Sequence, residues 1–265
     1  MTRLTYDLYL DHIRNESQRF RVALADCDLD TRVPSCPDWN AADLLWHLGA
    51  DVQDFWAWIL EHRPEGPDGY PELSRPDSRA GLFEAFDTAS ARLVTALQSV
   101  DPSEHAWTWS TDQTAGFIGR RQAHEALIHR LDAELAAGKL TGLDPALAAD
   151  GVEECLAVMY GGSPSWGTFT PAEGLLRFDL TDVGQSVWVR LGQFTGTDPD
   201  SGKEYDEPDI DVVADPGAEP DAVVAAAAGS MDAWLWHRGD DEGITVTGDR
   251  AAYDRFAALV TAPIN

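Results

Sequence analysis

The sequence contains very little positive charge. Lysine occurs only twice, at Lys139 and Lys203, and lysine and arginine together number 19 against 46 acidic residues, so the formal net charge is -27. Proteins that bind nucleic acids need clusters of lysine and arginine for the phosphate backbone, and anionic membrane surfaces make the same demand. We therefore expect neither nucleic acid nor membrane as a partner. The surplus acidic residues are best explained as a solvated surface.

Cysteines and long apolar runs are also scarce. Three cysteines, an odd number spread over 265 residues, do not make a disulfide framework. There is no apolar run of 18 residues and no signal-like apolar segment near the start, so we expect a cytoplasmic protein. Cys36 precedes a predicted helix and has two interpretations. Either the helix N-terminus makes it a nucleophile, or, as we favour, it is a small buried loop residue.

One stretch, RRQAHEALIHRLDAE (120–134), has the residues of a chemical site. It lacks glycine and proline and is rich in alanine, leucine and glutamate, so it predicts a helix. At about 100° per residue, Glu125 and His129 lie about 40° apart, one turn from each other. A carboxylate and an imidazole at this spacing form part of a metal-binding face of the kind that helix bundles present inward.

A third ligand for such a site would come from another helix. His47 is the single histidine of the stretch 34–60, where it lies in mid-helix among large apolar residues, and with Glu125 and His129 it makes an N2O donor set suited to zinc. Two simpler interpretations compete with this one. His47 alone is compatible with a packed, hydrogen-bonded core histidine, and an E-x-x-x-H pair is compatible with a solvated contact between neighbouring helical turns. The zincin motif H-E-x-x-H is absent.

Two longer motifs resemble those of a known family. The pair VPSCPDWNAADLLWHL and RRQAHEALIHRLDAE is similar to the motifs of the mycothiol-dependent maleylpyruvate isomerase family, an actinobacterial branch of the DinB-like metal-binding bundles. The matching positions are Cys36, Pro37, Trp39, Asp43, Leu44, His47 and Leu48 in the first motif, and Arg121, His124, Glu125, His129, Arg130, Asp132, Ala133 and Glu134 in the second.

The resemblance implies a fold and a set of site residues. The fold is α+β, with a DinB-like four-helix bundle followed by a smaller α+β domain. The implied metal ligands are His47, Glu125 and His129, the same trio that the spacing suggests. The run DAWLWHRGDDEGITVTGD (232–249) places Arg238 where the family carries a functional arginine facing the metal cleft. The implied cofactors are Zn²⁺ or another first-row divalent metal, with mycothiol as cosubstrate.

The pattern along the chain predicts two domains, 1–143 and 144–265. Helices are expected at 2–26, from Asn40 as N-cap to about His62, at 78–99 and through 120–134, which fits an up-down bundle. In the second domain we expect a helix over 145–160 and a strand hairpin turning at DVG (182–184). Strands are also expected at 209–215 and 243–249, an alanine-rich helix at about 220–237, and a last helix at 250–261. The acidic stretch 195–209 is expected to be a solvated loop.

The function expected from the resemblance is that of an enzyme whose bound metal activates mycothiol as a thiolate. The enzyme would act as an isomerase or S-transferase on a small electrophile, as a monomer or weak homo-oligomer. Arg238 or Arg121 would hold a substrate carboxylate. Asp132 would orient a ligand, or would be a solvated carboxylate. Two alternatives stay open: a metal-dependent hydrolase, and a non-catalytic metal- or thiol-binding protein.

Overall fold

The computed structural model describes residues 3–261 and residue 264. The chain divides into two compact units. Residues 4–143 form the first, which we call the helical unit. Residues from Asp144 onward form the second together with Arg3, whose guanidinium lies 3.9 Å from the Glu153 carboxylate. We call it the sheet unit.

The helical unit contains four long helical stretches and one small hairpin. Its elements are α1 (Tyr6–Ala25), β1 (Arg32–Val33), β2 (Cys36–Asn40), α2 (Ala41–Trp46), a π-helical segment (His47–Asp54), α3 (Phe55–His62), α4 (Arg79–Gln98) and α5 (Ala115–Ala137). From α2 to α3 the chain stays helical without a break. The four predicted helices are confirmed, but the π-helical middle of the second was not expected.

Local sequence explains where these helices begin and end. Asn40 is the N-cap of α2, as predicted: its side chain accepts from the Asp43 backbone N–H, and the Asp43 carboxylate accepts from the Asn40 N–H, each at 2.9 Å. The side chain of Thr114 caps α5. At the other end Gly138 takes φ 65°, a left-handed conformation that glycine adopts without steric cost.

The core of the helical unit consists of the apolar faces of these helices. Helix α1 packs against α5 and α4, and α4 packs against the helical stretch from α2 to α3. Ile13, Phe20, Leu44, Leu93 and Leu127 are all fully buried. Burial of side chains of this size supplies most of the free energy that holds such helices together. Helix α5 has buried residues on every side, so its polar side chains lie in the interior.

The sheet unit combines one five-stranded sheet with helices. Its elements are α6 (Pro145–Glu154), a second π-helical segment (Cys155–Tyr160), β3 (Gly167–Leu180), β4 (Gln185–Thr197), β5 (Glu204–Val213), β6 (Ala222–Ala226), α7 (Ala228–Leu235), β7 (Thr245–Gly248) and α8 (Arg250–Leu259). The strand order is β5-β4-β3-β6-β7, in which only the β3–β6 pair is parallel. The predicted α+β class is confirmed. The predicted hairpin turn is also present, with Gly184 at φ 63°.

The prediction of one alanine-rich helix over 220–237 is wrong in its first half. Residues 222–226 form strand β6, which pairs with β3 on one side and β7 on the other. Only Ala228–Leu235 is helical. Alanine favours helix in isolation, but this run lies between two strands, where alternate residues are buried and the backbone completes both ladders.

The prediction of a solvated loop over 195–209 is also wrong. Strand β4 continues to Thr197 and β5 begins at Glu204, so only the connection between them is a loop. The acidic residues of β5 lie on an edge strand of the sheet. Charged side chains on an edge strand discourage pairing with strands of other molecules.

Two further expectations concern chain-wide features. No helix among the described residues is long and apolar enough to cross a membrane. Cys27, Cys36 and Cys155 are all free thiols and buried. Cys36 begins strand β2, so the structure favours the interpretation of a small buried residue.

Candidate metal and thiol site

Helix α5 brings two of the predicted ligands into direct contact. The Nε2 atom of His129 lies 3.2 Å from Oε2 of Glu125, one turn earlier on the helix. The His129 side chain is almost fully buried and that of Glu125 is 20% exposed. The pair therefore sits at the border between the interior and an accessible surface, where a ligand can reach it.

Asp132 fixes the orientation of His129 from the opposite side of the ring. Nδ1 of His129 donates to Oδ2 of Asp132 at 2.9 Å, and the Ser35 hydroxyl donates to Oδ1 of the same carboxylate. Because an ionised carboxylate can only accept, Nδ1 must carry the proton. A carboxylate behind an imidazole is the usual arrangement around metal-ligating histidines. The solvated interpretation of Asp132 is excluded because its side chain is fully buried.

The third predicted ligand, His47, lies beside the same pair. It is the first residue of the π-helical segment, and its ring centroid is 5.1 Å from that of His129, with the rings nearly perpendicular. Trp39 packs against both imidazoles, with ring centroids 4.6 Å from His47 and 6.4 Å from His129. Nδ1 of His47 lies 3.4 Å from Oδ2 of Asp51. The structure thus brings His47, Glu125 and His129 together.

Arg121 and the histidines set the charge of Glu125. Burial acts to raise the pKa of the Glu125 carboxyl, but the Arg121 guanidinium, whose Nε donates to Oε1 at 3.2 Å, and His129 together hold it well below its usual range. Burial opposes protonation of His129, yet its hydrogen bonds to Asp132 and Glu125 raise its pKa to about 9. Each partner thus stabilises the charged form of the other.

The donor chemistry fits a divalent metal. As the side chains stand, no group of three or more His, Cys, Asp or Glu residues within the described part of the chain has the spacing to hold an ion. Two ligands about 2.1 Å from one tetrahedral ion lie about 3.4 Å apart, and Nε2 of His129 is 3.2 Å from Oε2 of Glu125. With Nδ1 protonated, a neutral His129 would turn its Nε2 lone pair toward this carboxylate. A positive charge, either a proton or a metal ion, belongs between these two atoms.

Arg238 belongs to the sheet unit and follows helix α7. It is largely buried, and its Nη1 donates to the carbonyls of Trp236 at 2.7 Å and Ile264 at 2.8 Å. The preceding residue, His237, has a left-handed φ of 58°, and its Nε2 lies 3.1 Å from the Tyr160 hydroxyl. The predicted catalytic role of Arg238 stays a prediction.

Sequence reasoning missed three residues around the trio. Ser35 lies within the first motif but is not one of its matching positions, and nothing in its spacing connects it with Asp132, which is 97 residues away. Trp39 is a matching position of the motif. Its place just before the helix of His47 did not reveal that its ring packs against His47 and His129. Gln122 is fully buried on α5, three residues before Glu125. Its helical spacing from Glu125 and His129 was the signal that could have identified it.

Comparison with protein families finds two matches along the chain. Residues 10–134 match the mycothiol maleylpyruvate isomerase N-terminal domain, and residues 146–255 match the MDMPI C-terminal domain. The first match contains His47, Glu125, His129 and Asp132, and the second contains Arg238. A comparison with curated proteins finds no match.

Two solved structures of mycothiol-dependent maleylpyruvate isomerase, one of them a mutant, resemble the whole chain. Each aligns with a TM-score of 0.59 at 15% sequence identity, covering 93% of this chain and 96% of the solved chain. At this identity the likeness establishes the fold. Because the two family matches together span the helical unit and the sheet unit, the chain belongs to the mycothiol-dependent maleylpyruvate isomerase family, a family of enzymes.

Proposed function

We propose that this protein is a mycothiol-dependent enzyme that uses a divalent metal, as an isomerase or S-transferase on a small electrophilic substrate. The observation that carries the proposal is the buried chain from Ser35 through Asp132 and His129 to Glu125, with His47 beside it. Such a chain orients a histidine for a cation. Family membership supplies the thiol.

His47, Glu125 and His129 would hold the metal ion. Two imidazole nitrogens and one carboxylate oxygen suit zinc and other first-row divalent ions, and three protein ligands leave one position for a small molecule. When bound at such a position, the metal would supply the charge that keeps a thiol deprotonated at neutral pH. The domains that we propose for this enzyme are 1–143, which contains the ligands, and 144–265.

The protein's own side chains would prepare the site. Asp132 keeps a proton of His129 on Nδ1, so Nε2 is the nitrogen that would bind the metal after losing its own proton. Trp39 packs against His47 and His129 and would restrict the positions of both rings. Arg121 holds Glu125 in its ionised form.

The two arginines have different proposed roles. Arg121 binds Glu125 beside the proposed ligands, and at that position we propose it as a residue that could hold a substrate carboxylate. Arg238 is proposed as the catalytic arginine because it occupies the position of the functional arginine in the family motif. Its guanidinium is held by backbone carbonyls, which would fix its orientation toward an anionic group.

Metal content and thiol dependence test the proposal together. The purified protein, His129→Ala and His124→Ala are analysed for zinc and other first-row metals. His124 is the matched control, since it is buried on the same helix but packs edge-on against Tyr9 of α1. We expect about one metal per chain in the wild type and in His124→Ala, and none in His129→Ala. A metal-free wild type that also fails to take up added zinc refutes the metal site.

Activity assays then separate the classes of reaction. Turnover of an electrophilic maleyl or epoxide substrate only in the presence of mycothiol supports the isomerase or S-transferase. Metal-dependent ester or amide hydrolysis without any thiol would instead establish a hydrolase. Metal and thiol binding with no turnover of any electrophile would establish a binding protein.

A further inference from the structure

Gln122 carries a buried amide that has no hydrogen-bond partner in the described part of the chain. Its side chain is fully buried, and among the described residues neither Oε1 nor Nε2 has a hydrogen-bond partner. A primary amide has two donor hydrogens and one acceptor oxygen, and buried polar groups of this kind are nearly always paired in folded proteins. The amide of Gln122 therefore needs a partner that the described part of the chain does not supply.

The position of Gln122 connects it with the metal and thiol site. It precedes Glu125 by three residues, about 4.5 Å along the helix axis, and lies about 60° from Glu125 and about 20° from His129 around the helix. The neighbouring polar side chains on this face are engaged: Arg121 binds Glu125, and His129 binds Asp132. Gln122 is thus an unused polar group on the helix face that carries two of the proposed ligands.

A second buried glutamine provides a contrast. Gln53 lies on the π-helical segment and is also fully buried, but its Nε2 donates to the Ser17 hydroxyl of α1 at 2.8 Å. Its amide links two helices of the unit. Gln122 has no such link, so the stability of the fold does not explain an amide at this position.

The chemistry of the amide restricts what can pair with it. A carboxylate only accepts, so it would leave Oε1 of Gln122 unpaired, whereas a secondary amide or a hydroxyl offers both a donor and an acceptor. We propose that Gln122 binds a neutral donor–acceptor group, a secondary amide or hydroxyl, of a small molecule bound at the metal and thiol site. This inference rests on the proposed function, because the thiol and the electrophile are the two molecules that can carry this group.

Two thiols that differ in one group test the proposal. N-acetylcysteine and 3-mercaptopropionate share a thiol and a carboxylate, but only the former carries a secondary amide. Their dissociation constants are measured by calorimetry on the metal-loaded wild type, on Gln122→Met, which keeps the length of the side chain, and on Gln122→Glu, which loses the amide donors. If the thiol carries the group, the wild type binds N-acetylcysteine about tenfold more tightly than 3-mercaptopropionate, and Gln122→Met binds both equally.

Steady-state kinetics test whether the electrophile, and not the thiol, carries the amide or hydroxyl group that pairs with Gln122. If the electrophile carries it, Gln122→Met raises the KM for the electrophile about tenfold and leaves thiol binding unchanged. Thermal unfolding of the ligand-free variants distinguishes a binding role from a structural one. If Gln122 stabilised the fold, its replacement would lower the unfolding temperature. Gln122→Met should unfold at the same or a higher temperature than the wild type, because it removes an unpaired amide. Gln53→Met should unfold at a lower temperature and bind thiols normally.

Failure of this inference differs from failure of the proposed function. A wild type without metal or without thiol dependence refutes the proposed function. A metal-loaded, thiol-dependent wild type whose Gln122→Met variant has unchanged dissociation constants and an unchanged KM refutes only the role of Gln122. Should Gln122→Met fail to fold, Gln122→Glu gives the same comparison, and normal binding by it overturns the proposal.

Discussion

Arg130 is the centre of a buried ionic network, and its replacement should strongly destabilise the helical unit. Its side chain is fully buried on α5, where Nε donates to Glu16 on α1 at 2.7 Å and Nη1 donates to Glu134 at 2.9 Å. Nη1 also donates to the carbonyl of Thr141 at 3.3 Å. Arg130→Met keeps most of the volume of the side chain but removes its charge and all its donors.

The expected loss follows from what remains after the substitution. Glu16 and Glu134 would stay buried as two carboxylates without their main partner, and breaking a buried pair costs about 3–5 kcal/mol. Arg19 would still contact both, at 3.0 Å from Glu16 and 3.6 Å from Glu134, but its side chain is 38% exposed and its attraction is weakened by solvent. We therefore expect a loss of about 3 kcal/mol in the free energy of unfolding.

Urea unfolding followed by far-ultraviolet circular dichroism measures this loss. Arg14→Met is the matched control, because Arg14 lies on α1 in an exposed pair with Asp11 and should lose less than about 1 kcal/mol. The double variant Glu16→Gln/Arg130→Met removes one of the two buried carboxylates that lose Arg130, and should recover part of the lost free energy of unfolding. If Arg130→Met unfolds within about 1 kcal/mol of Arg14→Met, the network does not stabilise the fold and the reasoning is wrong.

Three further predictions address the site, the sheet and the helix packing. Asp132→Asn should weaken zinc affinity about 10- to 100-fold in a chelator competition titration, because His129 loses its carboxylate; unchanged affinity would show that the ligand needs no such support. Val224→Ala should cost about 2 kcal/mol in urea unfolding and clearly more than Val223→Ala, because Val224 is fully buried in β6 and Val223 is not; equal costs would contradict the alternation of a strand. Gly119→Ala should lower the midpoint of thermal unfolding, since the added Cβ would lie 2.7 Å from a ring carbon of Tyr6. An unchanged midpoint would show that the Tyr6 ring moves aside freely.

Much of the helical unit could be predicted from local sequence. Helical spacing of apolar residues and the absence of glycine and proline predicted α5, and Asn40 was correctly expected to cap α2. Helices are built from contacts three and four residues apart, so their signals lie within one short stretch of sequence. The pairing of Glu125 with His129 is such a contact and was therefore visible in advance.

Only the tertiary structure decided the features that depend on distant residues. The run AVVAA became strand β6 because β3 and β7 flank it, although alanine by itself favours helix. Acidic residues that were expected in a loop form strand β5, because their backbone pairs with strand β4. Asp132 is a buried hydrogen-bond partner of Ser35 and His129, whereas the sequence was also compatible with a solvated carboxylate.

Gln122 shows the same division within a single residue. Its helix and its place on the face of Glu125 and His129 follow from the sequence, because both are set by the regular geometry of α5. Its complete burial and its lack of a hydrogen-bond partner among the described residues do not. The sequence by itself determined the long helices of the helical unit, the cap of α2 and the spacing of Glu125 and His129, since these are local. The tertiary structure decided which polar groups are buried and which of them are paired, because that depends on every element packed around them.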